Sequence, residues 1–155
     1  MTAANDRGSV TSQLIAQGVS KYFSGLHALE NVSFTLNKGE ILGLIGPNGS
    51  GKTTLINVLT GLLPLTSGKV IVDGVDVTNK PPYVIAKAGL GRTFQTIRLF
   101  RELTVIENVE VAAVSMGFPR SLARKKALTA IEELGLTPWL HRLAGELPYG
   151  HERRL

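Results

Sequence analysis

The strongest chemical signal in the chain is Gly46-Pro47-Asn48-Gly49-Ser50-Gly51-Lys52-Thr53, which fits Gly-x4-Gly-Lys-Ser/Thr, a phosphate-binding loop. Glycines let such a loop curl tightly and turn its N–H groups inward on an anion that side chains would block. Lys52 can reach the β- and γ-phosphates of a nucleoside triphosphate, and the Thr53 hydroxyl is placed to ligate Mg2+. A helix opening near Gly51 would aim the positive end of its dipole at the same phosphates. The competing explanation is a glycine-rich strand-to-helix turn with a solvated lysine.

These residues need a strand before them and a helix behind. Ile41-Leu42-Gly43-Leu44-Ile45 is short and continuously apolar, which predicts a parallel strand buried on both faces. Leu55, Val58, Leu59 and Leu62 recur at helical spacing, and Pro64 would end that helix. Upstream, Leu14 to Val19 reads as a strand. Val32, Phe34 and Leu36 alternate with polar residues as in a half-buried antiparallel strand. Downstream come Val70-Ile71-Val72 with an Asp73-Gly74 turn, a short helix around Val84 to Lys87, and a strand near Gly91 to Phe94. Thr104-Val105-Ile106-Glu107 is a capping box ahead of an apolar pattern at Val105, Ile106, Val109, Ala112 and Ala113. Ala123, Ala127, Ile131 and Leu134 form another helical stripe closed by Gly135, and Thr137-Pro138 would cap and start a third, short helix. The order predicts an α/β chain in which a mixed β part precedes the phosphate-loop core and a helical segment follows.

At 155 residues with 43% hydrophobic content, the chain can build a core of one domain's size. Met1 to Ser12 is small and polar and is expected to be a loose tail. No stretch reaches the roughly 18 apolar residues of a membrane span, and the N-terminus lacks a signal pattern, so a cytosolic protein is expected. The chain contains no cysteine, which excludes a disulfide scaffold or zinc–thiolate cluster. Its net charge is +5, but no basic stripe is interleaved with aromatics, so no nucleic-acid partner is expected.

Four segments in order carry a family resemblance: Gly46 to Thr54; Gly91-Arg92-Thr93-Phe94-Gln95 running into Ile97-Arg98-Leu99-Phe100; Leu103 to Val109; and Leu147-Pro148-Tyr149-Gly150. Together they resemble the ATP-binding subunits of ABC transporters, of the type serving branched-chain amino acid uptake. The resemblance implies a P-loop NTPase fold with an N-terminal antiparallel β part and a helical subdomain at about 104–149, within a partial ATP-binding domain at 13–155. It implies ATP and Mg2+ as ligands of Gly46, Pro47, Asn48, Gly49, Ser50, Gly51, Lys52, Thr53 and Thr54. Gln95 resembles the glutamine that touches Mg2+ or the attacking water, and Phe23 resembles the aromatic that stacks on adenine, with Tyr22 as the alternative. Both rings could instead pack in the sheet, and Gln95 could simply end a strand on the surface. Leu147 to Glu152 resembles the ABC signature Leu-Ser-Gly-Gly-Gln, with Pro148, Tyr149 and His151 replacing Ser, Gly and Gln.

The resemblance further implies permease subunits as partners, with Ile97 to Leu103 suited to docking, a second ATP-binding subunit, and a place on the cytoplasmic face of a bacterial cell membrane. The family's Walker B strand, catalytic glutamate and switch histidine would fall past Leu155. Val70-Ile71-Val72-Asp73 is the nearest internal imitation of Walker B, and Gly74 stands where the glutamate belongs. No general base is visible in these residues. Two readings follow: an importer ATPase subunit of which this chain is one part, or a truncated product that binds nucleotide at most and hydrolyses nothing. A GTPase is disfavoured because Asn79-Lys80-Pro81-Pro82 has proline where Asn-Lys-x-Asp needs aspartate. A soluble ABC protein acting on DNA or ribosomes would share the loop but not the segment Thr96 to Glu107.

Overall fold

A computed structural model of the chain describes residues 12–94 and 98–155, which fall into two compact units that meet in sequence at Arg92 and Thr93. The expected tail at 1–12 lies almost wholly outside the described residues, and so do Gln95 and Ile97.

In the first unit, β1 (Ser12–Phe23) and β2 (Leu26–Asn37) form a long antiparallel hairpin, and β1 also pairs with β3 (Ser67–Val72), which pairs with β4 (Val75–Asp76). The sheet order is β2-β1-β3-β4, antiparallel throughout. Val32, Phe34 and Leu36 are half-buried, as their alternation predicts. The turn between β3 and β4 holds Asp73 at φ 44° and Gly74 at φ 77°, the positive values that two-residue hairpin turns require. Asp73 is therefore a turn residue following an antiparallel strand, and the imitation of Walker B is only sequence-deep.

Helix α1 (Lys52–Leu59) buries Leu55, Val58 and Leu59 against Leu14, Ala16, Val19, Val70 and Val72 of the sheet. The helix is shorter than its stripe implies: it stops before Leu62, which is 46% exposed. Thr60 and Gly61 turn the chain there, with Gly61 at φ 73°. Helix α2 (Pro82–Lys87) follows with Ile85 buried.

Two expected strands are not found. Ile41 to Ile45 joins no ladder, and Ile41 and Ile45 are 98% and 94% exposed. A strand apolar on both faces is stable only between neighbours and under cover, and the described residues place neither beside it. Gly91 to Phe94 likewise has no regular structure; Arg92 instead donates to Asn57 Oδ1 at 2.7 Å and Thr60 Oγ1 at 3.2 Å, tying Arg92 to the C-terminal end of α1.

The second unit packs α3 (Val105–Ser115) on α4 (Arg120–Glu133), with Val105, Ile106, Ala127, Ile131, Leu136 and Leu147 forming its core. The α3 stripe is narrower than expected, because Ala112 is exposed and Glu110 is buried instead, its carboxylate accepting from Arg124 of α4 at 3.1 Å. Leu134 is 40% exposed at the end of α4, where Gly135 at φ 64° closes the helix with Leu136 N–H bonded to Ile131 O at 2.9 Å. Thr137–Trp139 is a single 3-10 turn in which Thr137 caps nothing with its side chain.

The capping box forms as predicted: Thr104 N–H and Oγ1 donate to Glu107 Oε2 at 2.8 and 2.6 Å, and Glu107 N–H returns to Thr104 Oγ1 at 3.4 Å. Those donations, first from the Thr104 hydroxyl and then from its N–H, hold the Glu107 carboxyl below its ordinary range. A lowered folded-state value stabilises above the unfolded value and is lost as pH falls through the folded one. Thr104→Ala is expected to cost about 1 kcal/mol near neutral pH, with the deficit shrinking in acid once Glu107 is protonated. Urea unfolding of both forms across pH 3–7 checks it, and a deficit that does not change with pH refutes the role assigned to Glu107.

Candidate nucleotide-binding site

The loop between residue 46 and α1 is shaped by what its glycines omit. Gly49 and Gly51 both sit at φ 85°, in the left-handed region that side-chain-bearing residues avoid. A β-carbon on Gly51 would stand 2.5 Å from Ala28 O and 3.0 Å from Leu29 Cδ2, so residue 51 can approach β2 this closely only without a side chain. A β-carbon on Gly46 would meet Ser50 Oγ at 2.7 Å, closing the inside of the curl. Ser50 N–H bonds back to Pro47 O at 3.3 Å, and Leu55 N–H to Gly51 O at 2.8 Å starts the helix.

Helix α1 is capped by Gly51 with no side-chain hydrogen bond, and its first turn carries no acidic residue. Its leading N–H groups are therefore left for an anion by the sequence itself. Lys52 Nζ lies over the loop, donating to Gly46 O and Pro47 O at 2.7 Å each and reaching Ser50 Oγ at 3.4 Å. An ammonium held on two loop carbonyls beside the start of α1 can transfer to phosphate oxygens, which bind it more strongly as charge-assisted acceptors.

A cavity of about 340 Å3 opens between this loop and the end of the β1–β2 hairpin. Its loop wall is Asn48, Gly49, Gly51, Lys52, Thr53 and Thr54; its hairpin wall is Phe23, Leu26, His27 and Ala28. The structure thus brings Phe23 together with most of the predicted loop residues, while Gly46, Pro47 and Ser50 shape the loop from outside the cavity lining. Tyr22 does not line it; its ring stacks on His27 with centroids 4.1 Å apart and planes at 29°. Leu26, His27 and Ala28 had no signal of their own in the sequence. They reach the cavity through the register that sets Tyr22 opposite His27 and Phe23 opposite Leu26.

Thr53 is exposed in the first turn of α1. Among the described residues no group of three or more His, Asp or Glu side chains could hold a metal. The donor set fits a Mg2+ held largely by phosphate oxygens and water with one hydroxyl from the protein, rather than one caged by carboxylates.

In the second unit, the segment Leu147 to Glu152 buries Leu147 and continues from Pro148 into α5 (Tyr149–Glu152), so helical structure begins inside this segment. Tyr149 is 68% exposed, whereas His151 lies against Trp139 with ring centroids 5.0 Å apart. Glu152 Oε1 accepts from Arg101 Nη2 at 2.9 Å.

The pair Gly49 and Gly51 separates two causes of strain. Gly49→Ala meets no atom within 4 Å and is expected to cost about 1 kcal/mol from backbone strain alone. Gly51→Ala adds the clash with Ala28 and is expected to cost a further 1–3 kcal/mol, approximately. Urea unfolding of the two variants side by side checks the order; equal losses would remove the close approach from the account.

The sequence pattern that defines ABC transporters matches residues 29–155. The high-affinity branched-chain amino acid transport ATP-binding protein BraF of Pseudomonas aeruginosa is 36% identical over 157 aligned positions, covering 92% of this chain and 62% of BraF. LivG of Escherichia coli, of the same description, is 40% identical with the same coverage. The chain therefore spans about 62% of the length of these relatives. Among solved structures, the ADP conformation of MJ1267, an ATP-binding cassette of an ABC transporter, superposes with a TM-score of 0.76 at 36% identity, over 92% of this chain and 61% of that one. A nucleotide-free ATP-binding cassette from an ABC transporter gives 0.74 at 37% identity, over 92% and 61%.

Proposed function

The chain belongs to the ABC transporter family, with the fold of its ATP-binding cassettes, and from that premise we propose that it serves as an ATP-binding subunit of an importer for branched-chain or related amino acids. The observation that carries this reading is the cavity in which an aromatic hairpin end faces a phosphate-binding loop. A nucleotide needs both walls: an apolar surface for its base and N–H groups with an ammonium for its phosphates.

In this reading Phe23 stacks on adenine, with Lys21 Nζ already 4.9 Å from the centre of its ring. The N–H groups of the loop and of Lys52, Thr53 and Thr54 hold the phosphates, Lys52 neutralises the β- and γ-phosphate charge, and the Thr53 hydroxyl ligates Mg2+. When bound, the metal supplies charge neutralisation at the terminal phosphates. Gln95, outside the described residues, is proposed to touch Mg2+ or the attacking water and to relay nucleotide state to Ile97 to Leu103, which docks on a permease subunit. Residues 104–149 act as the helical subdomain, and Leu147 to Glu152 as the signature offered to a second ATP-binding subunit. No described helix is long and apolar enough to cross a membrane, which suits peripheral attachment at the cytoplasmic face through those permease subunits. The amino acid cargo rests on what the relatives' names describe.

Titration of Mg-ATP into the folded protein and into Lys52→Ala tests the site directly. Loss of most affinity is expected, since the charge-assisted contact removed is about twice as strong as a neutral hydrogen bond; equal affinities would overturn the assignment. Gln95→Ala in the assembled transporter is expected to keep ATP affinity and lose solute-stimulated turnover. An affinity loss matching the turnover loss would reduce Gln95 to a plain binding contact.

A further inference from the structure

We infer that His27 is a nucleoside-contacting residue of this site, opposite the phosphate loop, and that Tyr22 acts through it as a positioning residue. The inference rests on the nucleotide-site reading above and adds to it two residues with separate tasks.

The cross-strand register places Tyr22 against His27 at the last rungs of the β1–β2 hairpin. Their rings stack at 4.1 Å, which covers one face of the imidazole. The Nδ1 edge lies 3.8 Å from Glu30 Oε1. At that separation no hydrogen bond holds the edge, so the Tyr22 stack is what orients the His27 ring, and its other face and its edges are what it offers to the cavity it lines. Tyr22 is absent from that lining, so its ring reaches a ligand only by way of His27.

Electrostatics divides the cavity. Phosphate charge is drawn to the loop wall, where the N–H groups, the start of α1 and Lys52 are gathered. The hairpin wall, built from Phe23, Leu26 and His27, offers ring faces and aliphatic surface, which suit a base and ribose. His27 shares that wall with Phe23, one face of which already carries Lys21. An imidazole there can stack on the base or hydrogen-bond the sugar, contacts that a bare polyphosphate lacks.

The test titrates ATP and inorganic tripolyphosphate, each with Mg2+, into the wild-type chain, His27→Ala, Tyr22→Leu, the double variant and Lys52→Ala, with thermal melts confirming the fold. His27→Ala is expected to weaken ATP about five- to tenfold and to leave tripolyphosphate unchanged. Tyr22→Leu is expected to lose less, and the double variant no more than His27→Ala alone. His27→Phe, which keeps a flat ring, should recover part of the loss if stacking is the contact, and His27→Gln part of it if hydrogen bonding is. An unchanged ATP affinity in His27→Ala, or an equal loss for tripolyphosphate, overturns the inference while Lys52→Ala still reports on the site. Additive losses in the double variant overturn the role of Tyr22. ATP that binds Lys52→Ala as tightly as wild type overturns the underlying site reading, and this inference with it.

Discussion

A carbonyl oxygen stands where the side chain of residue 51 would begin. Ala28 O is 2.5 Å from the position of a Gly51 β-carbon, and Leu29, its neighbour in β2, is buried in the first unit's core. The loop and the hairpin therefore meet backbone to backbone. This contact fixes the start of α1 against β2, and Leu55, Val58 and Leu59 hold the rest of the helix on the same core. The cavity is a consequence: with residue 51 against residue 28, the hairpin end two to five residues earlier overhangs the helix N-terminus. One methyl group at position 51 would push the two walls apart, although neither wall would have lost a ligand-facing group.

The features legible in the sequence were those with a local cause. Glycines in the phosphate loop, alternation at Val32, Phe34 and Leu36, the Asp73-Gly74 turn, the Thr104 and Glu107 capping box and the Gly135 stop all act within a few residues of themselves. What escaped depends on distant chain. His27 and Leu26 enter the cavity because of cross-strand register, and β1 shifts register between Ala16 and Val19, between Val19 and Lys21, and again between Lys21 and Tyr22. No alternation pattern encodes three such shifts. The boundary at Leu62 was overextended, and Leu134 caps α4 exposed, because an apolar residue at helical spacing need not be helical or buried once a turn has begun.

Ile41 to Ile45 failed for a different reason. Its composition suits burial on both faces, and composition does report what environment a segment is built for. It does not report whether neighbours are at hand: burial requires hydrogen-bonded strands on its edges and helices over its faces, and the four strands described here are all engaged in an antiparallel sheet to which this segment does not belong. The same logic undoes Val70-Ile71-Val72-Asp73 as a metal-binding strand, since its apolar residues serve the antiparallel sheet and its aspartate serves the turn.

In the second unit, magnitudes decide what orients α5. Gly145 N–H bonds to Arg101 O at 3.1 Å, Ala144 N–H to Leu103 O at 2.9 Å, and Val105 N–H to Arg142 O at 3.0 Å, so the chain entering α3 and the chain approaching α5 run together as one seam. Each such bond contributes about 1 kcal/mol net, and burying Leu147 adds about 2 kcal/mol. The ion pair from Arg101 to Glu152 spans the same seam, with the Glu152 side chain 14% exposed and that of Arg101 66% exposed; the guanidinium keeps much of its hydration, and a pair so screened on one side contributes about 1 kcal/mol. The three backbone bonds and Leu147 together therefore outweigh the ion pair in setting where α5 begins. Gly145 is the small residue that permits the seam: a β-carbon there would stand 3.2 Å from Arg101 Cβ and 3.3 Å from its carbonyl oxygen, tighter than ordinary contact at both points.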